Sequence, residues 1–160
     1  MRPSITVRLR PFARGRSRRG GHAFAAIDRE LDQAATGPRW LQDERVAQCV
    51  VDAFHYGDRT LGLYGLQAWV LMVNHVHLLI YPHAPLARIT KAVKNFSARK
   101  ANTILGRAGE PFWQDESYDH WVRSAEEFDK IVRYIEGNPV SAGLATSAGG
   151  WRWSSAFNIE

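Results

Sequence analysis

Gln67-Ala68-Trp69-Val70-Leu71-Met72-Val73-Asn74-His75-Val76-His77-Leu78-Leu79-Ile80-Tyr81 is the stretch whose reading decides the fold. Two apolar runs of strand length flank a tight connection at Val73-Asn74, and Pro82 stops the second run. Strands joined by so short a turn run antiparallel. Within the second strand, residues two apart share a face. His75 and His77 therefore point one way, and Val76, Leu78 and Ile80 point the other way, toward a core.

Working outward, the spacing predicts helices on both sides. Residues 21–60 read as helical, with Asp43 capping a run Glu44–His55 in which Val46, Val50, Val51 and Phe54 recur at helical spacing. Gly57-Asp58 is expected to break it. Leu61–Gly65 then reads as part of the first strand, with a bulge marked by the glycine. Downstream, Leu86–Leu105 puts Leu86, Ile89, Val93 and Phe96 on an apolar face, and Arg88, Lys91, Asn95, Arg99 and Asn102 on the opposite face. Phe112–His120 reads as irregular. Ser124 and Glu127 form a capping box for a last helix that buries Phe128, Ile131, Val132 and Ile135, and Pro139 is expected to end it. The aromatic tail Trp151–Ala156 is expected to dock on the core. Together these elements predict an α+β chain folded as a two-layer sandwich, with a central antiparallel sheet flanked by helices.

Charge is distributed unevenly. Residues 1–20 hold seven arginines and no acid, whereas the rest of the chain holds 14 basic against 16 acidic residues. The high isoelectric point thus belongs to an N-terminal arm suited to non-specific phosphate contacts. We read residues 1–21 as this arm, either disordered or a degenerate strand, and residues 22–160 as a single domain. No run approaches the roughly 18–20 apolar residues of a membrane span. No apolar leader follows the basic start, so a cytoplasmic protein is expected. The single cysteine, Cys49, excludes an intramolecular disulfide and a cysteine-based zinc cluster, and its apolar surroundings predict a buried, inert thiol.

Two imidazoles side by side on one strand face suit neutral ligands of a single metal ion, although His-x-His also arises by chance. His83 lies past the strand and is read as a bystander. On the last helix, Tyr134 and Asn138 are four apart and so lie about 5–6 Å from each other on one face. That pair reads either as an amphipathic core tyrosine with a helix-ending asparagine, or as a nucleophile beside a carboxamide ligand. From Pro82 to Gly109 there are six basic residues and no acid, a surface that a phosphate backbone would favour or that is simply solvated.

Taken together, these motifs resemble those of a known family. Met72-Val73-Asn74-His75-Val76-His77-Leu78-Leu79 is similar to the M-P-N-H-V-H-L-L signature of single-tyrosine HUH transposases, with Val73 in place of the proline. Tyr134-Ile135-Glu136-Gly137-Asn138-Pro139-Val140 followed by Ala142-Gly143-Leu144 resembles Y-I-x-x-N-P-V-x-A-G-L of the REP-associated tyrosine transposases. Phe112-Trp113-Gln114, Asp119 and Arg123 match that branch's F/V-W-Q…D…R block, and Trp153-Ser154-Ser155 its W-S-S tail. The resemblance runs from about Phe24 to Ala156. The family's opening strand, of the type H-x-V-T-x-R, has its only counterpart in Ile5–Arg10.

The resemblance implies a ferredoxin-like sandwich and a divalent cation, Mg²⁺ or Mn²⁺, held by His75, His77 and Asn138. It also implies Tyr134 as the nucleophile in a metal-dependent single-stranded DNA endonuclease and strand transferase, acting at hairpin DNA through a 5′-phosphotyrosine. With such a substrate, the polar and basic helix face Arg88, Lys91, Asn95, Arg99 and Asn102, together with Arg123, is expected to contact the DNA. A homodimer and association with the nucleoid are compatible with that role. Two alternatives stand beside it. One is a catalytically inactive ferredoxin-like module binding hairpin DNA or RNA, which has no need of both histidines, Tyr134 and Asn138 together. The other is a small-molecule hydrolase using His-x-His, which normally calls for more carboxylates or histidines.

Overall fold

The computed structural model describes residues 2, 4–9, 38–115 and 117–158. Asp43 opens the first described helix, α1 (Glu44–His55), by accepting from the Arg45 backbone N–H at 2.9 Å. The Arg45 guanidinium also donates to it at 2.7 Å. Those two hydrogen bonds, the side-chain one first, hold the Asp43 carboxyl down at about 2. The chain does not break at Gly57 but winds one π-helical turn through Tyr56–Thr60. A side chain at Gly57 would meet the Tyr64 hydroxyl at 2.5 Å, and that hydroxyl donates to the Phe54 carbonyl at 2.7 Å. Burial raises the Tyr64 phenol far above its ordinary range.

β2 (Tyr64–Leu71) and β3 (His75–Pro82) form the expected antiparallel hairpin, with Val70 opposite His77 and Leu71 opposite Val76. A bulge lies between Leu66 and Ala68, two residues beyond the glycine that was expected to mark it. Next come α2 (Leu86–Ile104), β4 (Ser117–Trp121) and α3 (Ala125–Ser141). β4 occupies part of the stretch read as irregular, because Ser117-Tyr118-Asp119-His120-Trp121 carries no apolar alternation.

The antiparallel expectation holds for the β2–β3 hairpin and does not extend to β1 (Ser4–Leu9). β1 lies between β3 and β4, giving the order β2-β3-β1-β4, and it runs parallel to both neighbours. Only β2 and β3 are antiparallel. β3 and β4 thus point the same way, and α2 supplies the crossover that parallel strands require. The short Val73-Asn74 turn fixes the direction of the two strands it joins and no other. β1 falls inside the span read as a basic arm. Residues 10–37, which hold the rest of that arm and the start of the helical reading, lie outside the described residues.

The two-layer expectation is corrected as well. α1 and α2 pack on one sheet face, where Ile5, Val7, Trp69, Leu71, Val76, Leu78 and Ile80 meet Val50, Phe54, Ile89 and Val93. α3 packs on the other, where Ala68, Val70 and Leu79 meet Ile131 and Ile135. Three layers result, because β3 is buried on both faces and each face needs cover.

α3 begins as a capping box: Ser124 Oγ accepts from Glu127 N at 3.0 Å, and the Glu127 carboxylate reaches back to Arg123 N. It runs through Pro139 instead of stopping there. In the last turn, the proline's missing N–H removes a single bond. The helix ends at Gly143, whose φ of 70° suits glycine, in a Schellman motif. Gly143 N donates to Val140 O at 3.0 Å and Leu144 N to Pro139 O at 2.8 Å, while Leu144 packs on the α3 side of the core. The loop before β4 is tied down by Trp113 Nε1 donating to Ser97 Oγ at 2.9 Å and Lys94 Nζ donating to Gln114 O at 2.6 Å. Cys49 is buried and donates to Val46 O at 3.1 Å, and desolvation pushes its thiol up to about 11, as an inert thiol should be.

Ile5 and Val7 fill the middle of the sheet. Replacing Ile5 with alanine should cost about 2–5 kcal/mol of stability, read as a lowered urea midpoint. An unchanged midpoint would show that β1 contributes no central packing.

Candidate active site

His75 and His77 project from β3 toward α3, on the face opposite Val76, Leu78 and Ile80. Both are buried, His77 completely, and their ring centres lie 5.0 Å apart at 89°. His75 Nδ1 is 2.7 Å from Asn74 Oδ1. A carboxamide oxygen only accepts, so this contact suits the neutral tautomer with its proton on Nδ1, in which Nε2 has a lone pair to offer. Asn74 was quoted from the sequence only as part of a motif. Its signal is its place directly before the first histidine, where a side chain can set that ring's tautomer.

Tyr134 stands above this pair. Its ring centre is 5.8 Å from that of His77, edge to face, and 38% of the residue is exposed. Tyr134 is thus far more exposed than the enclosed Tyr64. One turn on, Asn138 is 3% exposed, on the face of α3 that carries Ile131 and Ile135 onto the sheet. Among the described residues, no group of three or more His, Cys, Asp or Glu side chains is placed to hold a metal ion.

The C-terminal tail holds α3 in place. Trp151 Nε1 donates to Leu71 O at 2.9 Å, Leu71 N to Trp153 O at 2.8 Å, and Ser155 N to Trp69 O at 2.9 Å. Ser155 Oγ accepts from Trp69 N at 3.0 Å and donates to Glu136 Oε1 at 2.9 Å. Glu136 sits two residues after Tyr134. One serine thus joins the outer edge of β2 to the helix that carries the tyrosine. The sequence offered Ser155 only as part of a docking tail.

The profile of the family described as "Transposase IS200 like" matches residues 43–138, more than half of the chain. The chain belongs to the IS200-like, single-tyrosine HUH transposases. A solved structure of a REP-associated tyrosine transposase bound to a REP hairpin shares the fold. The TM-score is 0.54 at 20% identity, covering 76% of this chain and 70% of that one. The comparison with curated proteins gave no match.

On this IS200-like scaffold the expected DNA-contacting residues separate. Arg88, Lys91, Asn95 and Arg99 are exposed on α2, and Arg123 is exposed ahead of α3. Asn102 is not part of that surface: it is 4% exposed, and its Nδ2 donates to Glu110 O. It falls next to the buried Ala101, at the edge of the helix's buried face. The α2 residues also lie across the sheet from the histidines. His83, read as a bystander, packs at the hairpin end beside Tyr81, with Nδ1 3.3 Å from Gly62 O. No described helix is long and apolar enough to cross a membrane.

Ser155→Ala should remove two side-chain bonds and lower stability by roughly 1–3 kcal/mol. The His77 ring-proton NMR signals should shift as Tyr134 moves. A stability loss with those signals unmoved would show that the tail does not position the tyrosine.

Proposed function

We propose that the protein cleaves and rejoins single-stranded DNA at hairpins, with Tyr134 as nucleophile and a divalent cation, Mg²⁺ or Mn²⁺, as cofactor. The observation that carries this reading is the half-exposed Tyr134 ring lodged against the buried His75/His77 pair. The solved relative bound to a REP hairpin supports a hairpin as partner.

The residues present fit a divalent cation. His75, with its Nδ1 engaged by Asn74, offers Nε2; His77 offers a second imidazole and Asn138 a carboxamide oxygen. All three donors are neutral, so the ion's charge is left for a phosphate oxygen of the substrate. A divalent cation held by His75, His77 and Asn138 would supply Lewis-acid polarisation of the scissile phosphate. Tyr134 Oη attacks the phosphorus, forming a 5′-phosphotyrosine as the bond to the 3′ oxygen breaks; its phenolic proton leaves to water, and water returns a proton to the departing 3′ oxygen. The freed 3′-OH keeps the route back open: attack on a phosphotyrosine re-forms a phosphodiester and releases the tyrosine, with no energy source besides the bonds exchanged.

Binding is assigned to the exposed Arg88, Lys91, Asn95, Arg99 and Arg123, together with the arginines of the N-terminal span. DNA held on α2 must pass round an edge of the sheet to reach Tyr134. That geometry suits a folded stem carrying a single-stranded flank more than a straight duplex.

The test is incubation of the protein with labelled hairpins carrying single-stranded flanks, in Mn²⁺ or Mg²⁺. A covalent adduct mapping to Tyr134 by mass spectrometry is expected. Tyr134→Phe should lose adduct and cleavage together while keeping fold and affinity, since only a hydroxyl is removed. His75→Ala or His77→Ala should lose cleavage and keep most binding. Full cleavage in excess EDTA would remove the cation from the reaction. No adduct from folded protein with any hairpin would favour a binding module.

Neutralising Arg88, Lys91 and Arg99 together should reduce the slope of log K against log salt by about two to three units. An unchanged slope would place the DNA elsewhere.

A further inference from the structure

Across the sheet from Tyr134, a cleft of about 850 Å³ opens between α2 and the π turn that follows α1. Its walls include Tyr56, Leu61, Asn95, Phe96, Arg99 and Lys100, and Cys49 lines it as well. The Tyr56 and Phe96 rings are stacked, with centres 4.7 Å apart and planes 14° off parallel. Lys100 Nζ lies 4.6 Å from the Phe96 ring centre. Phe96 is thereby covered, and Tyr56, at 36% exposed, is the outer ring of the stack. Leu61 beside it is also exposed. Two cations and a carboxamide border these apolar surfaces, and among the described residues no acidic side chain lines the cleft.

We infer that this cleft binds an unpaired nucleotide of the DNA, its base stacked on Tyr56 against Leu61 and its phosphates on Arg99 and Lys100. The chemistry selects the occupant. An aromatic platform next to fixed positive charge is the arrangement that holds single-stranded nucleic acid, because every base has a π-face and every nucleotide a phosphate. A purely apolar ligand would leave Arg99 and Lys100 unused, and a simple anion would leave the Tyr56 ring unused. Asn95 has both a donor and an acceptor to offer a base edge. The volume lies within the range of small-ligand sites, about 300–1,000 Å³. The π turn gives the arrangement its local cause: it carries Tyr56 beyond the end of α1 and lays the ring over Phe96.

The inference rests on DNA being the substrate, but it concerns a second contact, made without cleavage. The test uses full-length protein carrying Tyr134→Phe, so that no covalent adduct traps the strand. Hairpins with single-stranded flanks are compared with a series in which one nucleotide at a time is abasic. One unpaired position should be sensitive, weakening binding roughly five- to 150-fold when its base is removed. Tyr56→Ala should weaken binding of the intact hairpin by a similar factor and abolish the sensitivity at that position. Tyr56→Phe should retain both, which separates stacking from a folding defect. A 5-iodouracil placed there should crosslink to Tyr56. Base-insensitive binding at every unpaired position, or an intact abasic effect in folded Tyr56→Ala, would overturn the stacking site and leave the cleavage reading untouched. Base-dependent binding with no adduct from the unmodified protein would overturn cleavage alone. No binding of any oligonucleotide would overturn both.

Discussion

Everything in this molecule depends on β3 being buried on both faces at once. One face, Val76, Leu78 and Ile80, is ordinary core and takes α1 and α2 as its cover. The other carries His75, His77 and Leu79, and a strand with two imidazoles on one side cannot simply be sealed under apolar side chains. α3 resolves this by covering Leu79 with Ile131 and Ile135 while bringing Tyr134 and Asn138 to the same side of the sheet. The third layer and the candidate active site are therefore one structural event.

The same constraint explains why so many motif residues are structural. Ser155 bridges the β2 backbone and Glu136, Trp151 caps Leu71, and Gly143 with Leu144 ends α3 in register with the core. Trp113 and Gln114 anchor the loop before β4, the latter by donating to the Arg2 carbonyl at 2.8 Å, next to β1. None of these groups needs to touch a substrate. Their combined effect is to fix one helix over one strand, and sites held by rigid elements keep their geometry best.

Local signals in the sequence were legible wherever the physics is local. Asp43 and Ser124 cap helices through bonds to residues two and three positions ahead, so both helix starts were readable. The His75/Val76 alternation gave the two faces of β3 directly. Pro139 misled because a proline in the final turn costs little, and Gly143, four residues later, is the true stop. β4 was invisible because its five residues show no pattern of period two. The direction of β1 is a matter of pairing between residues far apart in the chain, and nothing in Ser4–Leu9 encodes it. At the candidate site, the histidines, Tyr134 and Asn138 were readable as motif residues, and their roles rest on the family resemblance. The roles of Asn74, Ser155 and the Tyr56–Phe96 stack were not readable, because each acts through a neighbour that only the fold supplies.

The tail's hold on β2 also bears on how copies of this chain can meet. A sheet has two open sides, and here Ser154 bridges to Val70 along one of them. Among the described residues the other side, β4, has no outer strand. Where the tail pairs with Trp69–Leu71, a strand from another molecule finds those ladder positions already taken and would first have to displace Trp153–Ser155.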